Sequence, residues 1–248
     1  MNRKADEYNH PSFIAGDPVC VPHTFTKKQD IEIAALFAAI LAWGNRTTII
    51  AKSKLLMQLM DNAPHDFCLH ANEKDLKRLL PFKHRTFNAT DILYFVEFLR
   101  HHYARHASLE TAFTQWMLPE DRTIENGLRG FHQYFFSLAD APARTRKHIA
   151  SPEKRSTCKR LNMFLRWMVR KDDRGVDFGL WENIAPARLI CPIDVHVARV
   201  AKRLNMITRR QTDWLAALEL TECLRQFCAE DPVKYDFALF GLGVVEKF

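Results

Sequence analysis

Residues 192–203 read PIDVHVARVAKR, and this stretch predicts a helix with a chemically distinctive start. Pro192 cannot continue a preceding helix, and Asp194 can accept hydrogen bonds from the free amides of a new one. The apolar residues that follow recur at helical spacing and form one face: Val197, Val200, Ala201 and Leu204. The stretch therefore places a carboxylate and His196 together at a helix start. Taken alone, an Asp at such a position is most often only a helix cap.

A second stretch, residues 158–165, reads CKRLNMFL and lies near the start of another predicted helix, residues 157–170. Its Lys159 is surrounded in sequence by three cations, Lys154, Arg155 and Arg160. Neighbouring positive charge and partial burial both lower the pKa of an amine, and the neutral amine is a nucleophile. The alternative reading is a surface lysine whose stem covers apolar residues beside it.

The rest of the chain predicts an all-α fold. Its 248 residues include 8 Gly and 11 Pro, too few for a β protein rich in turns, and no convincing strand alternation occurs. A fully buried helix is expected over residues 30–42 with Asp30 as its cap. The other predicted helices cover residues 47–60, 90–106, 108–118, 123–138, 194–205 and 212–228, with a last one from residue 232.

Charge is unevenly distributed along the chain. The net charge is +7, yet residues 141–210 alone hold seventeen Lys and Arg against six Asp and Glu. A basic segment inside a folded chain is typical of a surface that faces phosphate, although a solvated basic face without a partner is the alternative. No apolar run is long enough to span a bilayer, and the first eight residues do not form a secretory signal.

Together the two stretches resemble the helix-hairpin-helix DNA glycosylase superfamily, in particular the 8-oxoguanine DNA glycosylases. The segment from Pro192 through Asp194 to His196 matches the second active-site segment of that family. Lys159, followed by Asn162 and apolar residues, matches the first. The separation of 35 positions from Lys159 to Asp194 is similar to the spacing in the archaeal 8-oxoguanine glycosylases.

The resemblance extends towards both ends of the chain. Residues 31–60 resemble the early pair of helices in the family, and residues 236–240 resemble its C-terminal helix. It implies an all-α fold of two helical lobes with the active site in a central cleft. One lobe would comprise residues 1–30 with 194–248, and the other would be a helical bundle of residues 31–193.

The same resemblance implies a set of site residues. Lys159 would be the catalytic nucleophile that forms a Schiff base, and Asp194 the carboxylate that stabilises positive charge on the sugar. His196 would contact phosphate, and Phe240 would stack on the extruded base. The remaining residues assigned to substrate or DNA binding are Asp236, Asn45, Arg160, Lys154, Arg155 and Arg199.

The expected function is therefore that of a base-excision glycosylase and AP lyase acting on an oxidised purine in double-stranded DNA. We expect a cytoplasmic monomer without a metal, cofactor or iron–sulfur cluster, since Cys223 and Cys228 are the only close cysteine pair. One departure favours an alternative. The family's Leu-Pro-Gly-x-Gly hairpin would fall at residues 151–158, which contain no Gly. A non-catalytic nucleic-acid-binding protein on the same scaffold, and a plain helical interaction protein, stay open.

Overall fold

The predicted all-α class is confirmed: the computed structural model describes all 248 residues, and 58% of them are helical against 2% in strands. No helix is both long and apolar enough to span a membrane. The α-helices are α1 (Asn2–Tyr8), α2 (Ser12–Ala15), α3 (Lys28–Leu41), α4 (Arg46–Leu59), α5 (Pro64–His70), α6 (Glu73–Lys77), α7 (Ala89–Tyr103), α8 (Thr111–Thr114), α9 (Glu125–Phe135), α10 (Lys159–Val169), α11 (Val195–Arg203), α12 (Trp214–Arg225) and α13 (Asp236–Phe240).

The chain divides into two compact units. The terminal unit comprises residues 1–15, 117–129 and 151–248, and the hairpin unit comprises residues 16–116 and 130–150. These bounds differ from those the resemblance implies: residues 117–129 and 151–193 group with the C-terminal helices, and residues 16–30 group with the hairpin unit. Ion pairs described below join α10 and the residue after it to the residues around α13.

In the hairpin unit, α3 is buried along almost its whole length, as its run of apolar residues predicts. It begins two residues before Asp30, so the predicted cap is wrong: Lys27 occupies the cap position, and Asp30 instead accepts a hydrogen bond from the His65 amide at 2.9 Å. Glu32 is also buried in this helix. Its carboxylate is paired with the Tyr103 hydroxyl at 2.8 Å and the Leu109 amide at 3.1 Å, which offsets the cost of burying a charge.

The hairpin unit also contains two short strands that the sequence pattern did not predict. β1 (Lys83–His84) pairs with β2 (Phe87–Asn88) in an antiparallel hairpin. Two-residue strands are too short to show an alternating pattern of apolar and polar residues. Asn88 then caps α7 through a capping box with Asp91, which fixes the direction in which the chain leaves the hairpin.

The terminal unit brings residues near the two ends of the chain together. The Tyr8 hydroxyl donates to Glu246 at 2.6 Å, and the Lys4 ammonium lies 2.6 Å from the same carboxylate. A Cβ atom added at Gly241 would lie 2.1 Å from the Tyr8 ring, so the close approach of these segments requires glycine. The result is that α1 packs against α13 and the π-helical turn Gly241–Val245 that follows it.

Candidate active site around Lys159 and Asp194

Asp194 caps α11, as the sequence predicts. Its Oδ1 accepts hydrogen bonds from the amides of His196 and Val197, each at 2.9 Å. No donor in the structure reaches its Oδ2. The side chain is only partly buried, so one carboxylate oxygen is fixed by the helix start while the other is available to a ligand.

Lys159 is the first residue of α10 in the same unit. The preceding Cys158 adopts a left-handed conformation with φ of 51° and provides no side-chain cap. The Lys159 ammonium forms no hydrogen bond and no ion pair within the protein, and its side chain is partly exposed. It is therefore a positioned amine without a partner.

Asp236 connects these two groups electrostatically. Burial raises the pKa of its carboxyl to about 6, while Arg166 lowers it, Asp194 raises it and Lys159 lowers it. Lys159 and Asp194 therefore both lie close enough to Asp236 for their charges to affect its ionisation. No ion pair of 4.0 Å or less joins Lys159 to Asp194, and each of the two groups acts on the ionisation of Asp236.

A buried ion-pair network supports this arrangement, and sequence reasoning missed it. The Arg166 guanidinium pairs with Asp236 and lies 3.3 Å from Asp177. The Arg170 guanidinium lies 3.1 Å from Asp177 and 2.8 Å from Asp231. Both guanidinium groups also lie over the Phe237 ring, at 4.3 and 5.6 Å from its centroid. The sequence signal was two Arg residues four apart in a largely apolar stretch, the first inside α10 and the second directly after its end.

We expect Arg166→Met to lower the free energy of unfolding by about 3–5 kcal/mol, because it leaves the buried Asp177 and Asp236 without this guanidinium. Urea denaturation followed by circular dichroism measures the change. Arg174→Ala is the matched control, since it removes an exposed pair with Asp173 and should change stability by less than about 1 kcal/mol. A loss below about 1 kcal/mol in Arg166→Met would contradict this role.

The residues that follow Asp194 are closely packed against the C-terminal segment. A Cβ added at Gly243 would lie 3.0 Å from the His196 Cβ, and the buried Nδ1 of His196 has no hydrogen-bond partner. Arg199 donates to the carbonyl oxygens of Gly243 at 2.7 Å and Phe248 at 3.1 Å. The Arg199 guanidinium is thus engaged within the protein, whereas the prediction assigned it to DNA.

Cations precede Lys159 along the chain. Lys154 ends a short 3-10 turn, Arg155 follows it in a left-handed conformation with φ of 56°, and both side chains are exposed without an ion-pair partner. The Arg155 carbonyl accepts from the Trp214 amide at 3.3 Å, which anchors this turn to α12. Arg160 is partly buried, and burial lowers the pKa of its guanidinium. The positive charge predicted around Lys159 is therefore present on the segment that leads into α10.

The other three predicted site residues, Asp236, Phe240 and Asn45, make different contacts. Asp236 lies on the first turn of α13, where one oxygen binds Arg166 and the other has no hydrogen-bond partner. Phe240 is partly buried at the end of α13, with its ring 5.8 Å from Phe13 in an edge-to-face contact. Asn45 belongs to the hairpin unit, where it caps α4 by accepting from the Thr48 amide at 3.2 Å.

No group of three or more His, Cys, Asp or Glu side chains is arranged to hold a metal ion. A family model described as a protein of unknown function (DUF2400) matches residues 17–245. The chain belongs to this family. The match covers most of both units, including Lys159, Asp194 and Asp236. No curated protein and no solved structure matches the chain.

The DUF2400 chain thus offers two reactive groups, the Lys159 amine and the Asp194 carboxylate. An unpaired amine is a nucleophile towards an electrophilic carbon once it is deprotonated, and a carboxylate with a free oxygen stabilises a cation that develops nearby. The exposed Lys154 and Arg155 suit an anionic substrate. Together these groups fit attack on a carbon centre in a polyanion.

Proposed function

We propose that this protein is a DNA glycosylase with AP lyase activity that removes an oxidised purine, 8-oxoguanine in the first instance, from double-stranded DNA. The observation that carries the proposal is that the unpaired amine of Lys159 and the half-free carboxylate of Asp194 both act on the ionisation of the buried Asp236. The resemblance to the glycosylase superfamily supports it. The corresponding two-lobed glycosylase fold is part of the proposal.

The damaged nucleotide first leaves the base stack, because its glycosidic carbon is shielded within a duplex. The Lys159 amine, in its neutral form, then forms a bond to C1′ of the sugar as the bond from C1′ to the base nitrogen breaks. The base leaves with the bonding pair and takes up a proton. Loss of a proton from the Lys159 nitrogen and opening of the sugar ring then yield a Schiff base. Removal of a proton from C2′ forms a C2′–C3′ double bond as the C3′–O bond breaks, so the 3′ phosphate leaves with that bonding pair and the strand is nicked.

Asp194 stabilises the positive charge that develops on the sugar and assists the proton transfers. Its capping bonds to α11 hold one oxygen in place, so the second oxygen is presented with little freedom to move. His196 contacts backbone phosphate. Phe240 stacks on the extruded base, and the unpartnered oxygen of Asp236 accepts a hydrogen bond from its edge.

The exposed cations before α10 hold the DNA backbone, with Lys154 and Arg155 as the leading contacts and Arg160 beside them. The enzyme acts as a monomer and uses no cofactor, since an amine and a carboxylate suffice for the reaction. A non-catalytic DNA-binding protein is the alternative, because residues 151–158 lack the glycine hairpin that grips phosphate in the resembled family.

A panel of duplex oligonucleotides separates these functions. Each duplex carries one 8-oxoguanine, another oxidised purine, an alkylated base, an abasic site or no lesion, and is scored for both binding and strand scission. We expect release of 8-oxoguanine and scission at the abasic site. Salt-dependent binding without scission of any duplex would establish the non-catalytic alternative, and no retention of DNA at moderate salt would contradict both.

A further inference from the structure

The turn of the β1–β2 hairpin carries an arginine that is held in an unusual way. Arg85 has a left-handed backbone with φ of 54°, and its side chain is exposed. Its guanidinium lies over the Trp43 ring, 4.7 Å from the centroid. Arg85 forms no hydrogen bond and no ion pair, so its donor groups are free while its plane is supported by an aromatic ring.

The neighbouring backbone is shaped to accept this guanidinium. Gly44 has φ of 107°, and a Cβ added there would lie 2.8 Å from Arg85 Nη1. The hairpin itself is tied down by Arg144, which donates to the Thr86 carbonyl at 2.9 Å and forms a 2.6 Å ion pair with the buried Asp91. Arg85 is thus held by its contact with the Trp43 ring and by its close approach to Gly44. Its backbone is held by the hairpin, which Arg144 anchors.

Other cations surround Arg85, and no carboxylate is present in the same segments. Lys83 is exposed and unpaired, and Lys52 lies over the Phe82 ring at 5.7 Å. The charges of Arg85 and Lys52 both lower the pKa of His84, an effect that adds to burial. Residues 41–60 and 79–90 contain no Asp or Glu. We call Trp43, Lys52, Lys83 and Arg85 the hairpin surface.

We propose that the hairpin surface is a second DNA-binding site, which binds backbone phosphates of the duplex. A guanidinium presents a planar fork of donors that matches a phosphate, and pre-positioning reduces the entropy lost on binding. The proposal rests on the proposed function for its partner. An anionic membrane is a poorer fit, because the aromatic ring that could insert into lipid, Trp43, is covered by Arg85.

The test measures binding of an undamaged duplex by fluorescence anisotropy at several salt concentrations. The Lys83→Ala/Arg85→Ala double variant should bind more weakly and lower the slope of log K against log salt by about one for each phosphate that the variant no longer neutralises. Gly44→Ala should weaken binding in the same direction, since it displaces the Arg85 guanidinium without removing a charge. Thermal melting of each variant confirms that it is folded.

Lys77→Ala is the matched control, because Lys77 lies in the same unit but is paired with Glu73 at 2.8 Å, and its salt slope should equal that of the wild type. If the double variant keeps the wild-type slope of log K against log salt while the wild-type protein is trapped on lesion DNA, the hairpin surface does not bind DNA. The proposed function is then left intact. Wild-type protein that binds no duplex overturns both. The wild type could also bind phosphatidylserine vesicles. If the double variant loses this vesicle binding while its DNA binding is unchanged, the hairpin surface binds anionic membranes and our proposal is refuted.

Discussion

Lys159→Gln should yield no covalent protein–DNA adduct when borohydride is added to its mixture with duplex containing 8-oxoguanine or an abasic site, whereas the wild-type protein should be trapped. The reason is that the Schiff base requires the amine nitrogen, which an amide cannot replace. Lys159 has no partner in the protein, so its removal leaves no group unsatisfied and the fold should persist. Denaturing gel electrophoresis of the labelled duplex reports the adduct.

The control for this experiment is Lys171→Gln, which removes another exposed and unpaired amine just beyond the opposite end of α10. It should be trapped as efficiently as the wild type. Binding of undamaged duplex by Lys159→Gln should remain within a few-fold of the wild-type value, because one of many cations is removed. Trapping that survives in Lys159→Gln would refute the assignment of the nucleophile.

Asp194→Asn should retain DNA binding but slow base release by at least about 100-fold, the scale on which loss of a charge-stabilising group acts. Asn is as good a helix cap as Asp, so the hydrogen bonds to the His196 and Val197 amides are retained. The substitution thus removes the charge while it preserves the local structure. Single-turnover kinetics with excess enzyme measure the chemical step separately from product release.

Asp213→Asn provides a matched comparison, because Asp213 caps α12 in the same unit by accepting from the Ala216 amide at 3.0 Å. Asp213→Asn also replaces a charged carboxylate with a neutral amide at a helix cap. Base release by this variant should keep the wild-type rate. If Asp194→Asn and Asp213→Asn released the base at equal rates, Asp194 would be only a helix cap, and the proposed role of its free oxygen would be wrong.

Local sequence signals predicted much of the candidate site. Pro192 and Asp194 mark the start of α11 because a helix start is determined by a few neighbouring residues. The left-handed residue before Lys159 was not predictable, since Cys rarely adopts that conformation. The pairing of Arg166 with Asp236 was also out of reach, because it joins positions 70 apart, and a single sequence does not reveal which distant charges meet.

The predicted helix bounds are accurate where neighbouring residues determine them and inaccurate where distant residues do. The prediction of a helix over residues 108–118 was wrong in length, because only Thr111–Thr114 is helical. The preceding turn is held by His102, which bonds the Ser108 carbonyl, and by the distant Glu32, which accepts from the Leu109 amide. In contrast, α12 starts directly after Asp213, close to the predicted start at residue 212, since its capping bond lies within three residues.

The association of α1 with α13 has a consequence for biosynthesis. The ribosome releases residues 16–150 before residues 151–248, and the hairpin unit lies entirely within the earlier stretch, so that unit can fold while translation continues. The segment Asn2–Tyr8 can form its contacts with Glu246 only after the residues around Glu246 have emerged from the ribosome. The nascent polypeptide therefore completes the proposed catalytic site only after Asp236 has left the ribosome, and products that stall before this point should neither release a damaged base nor nick DNA.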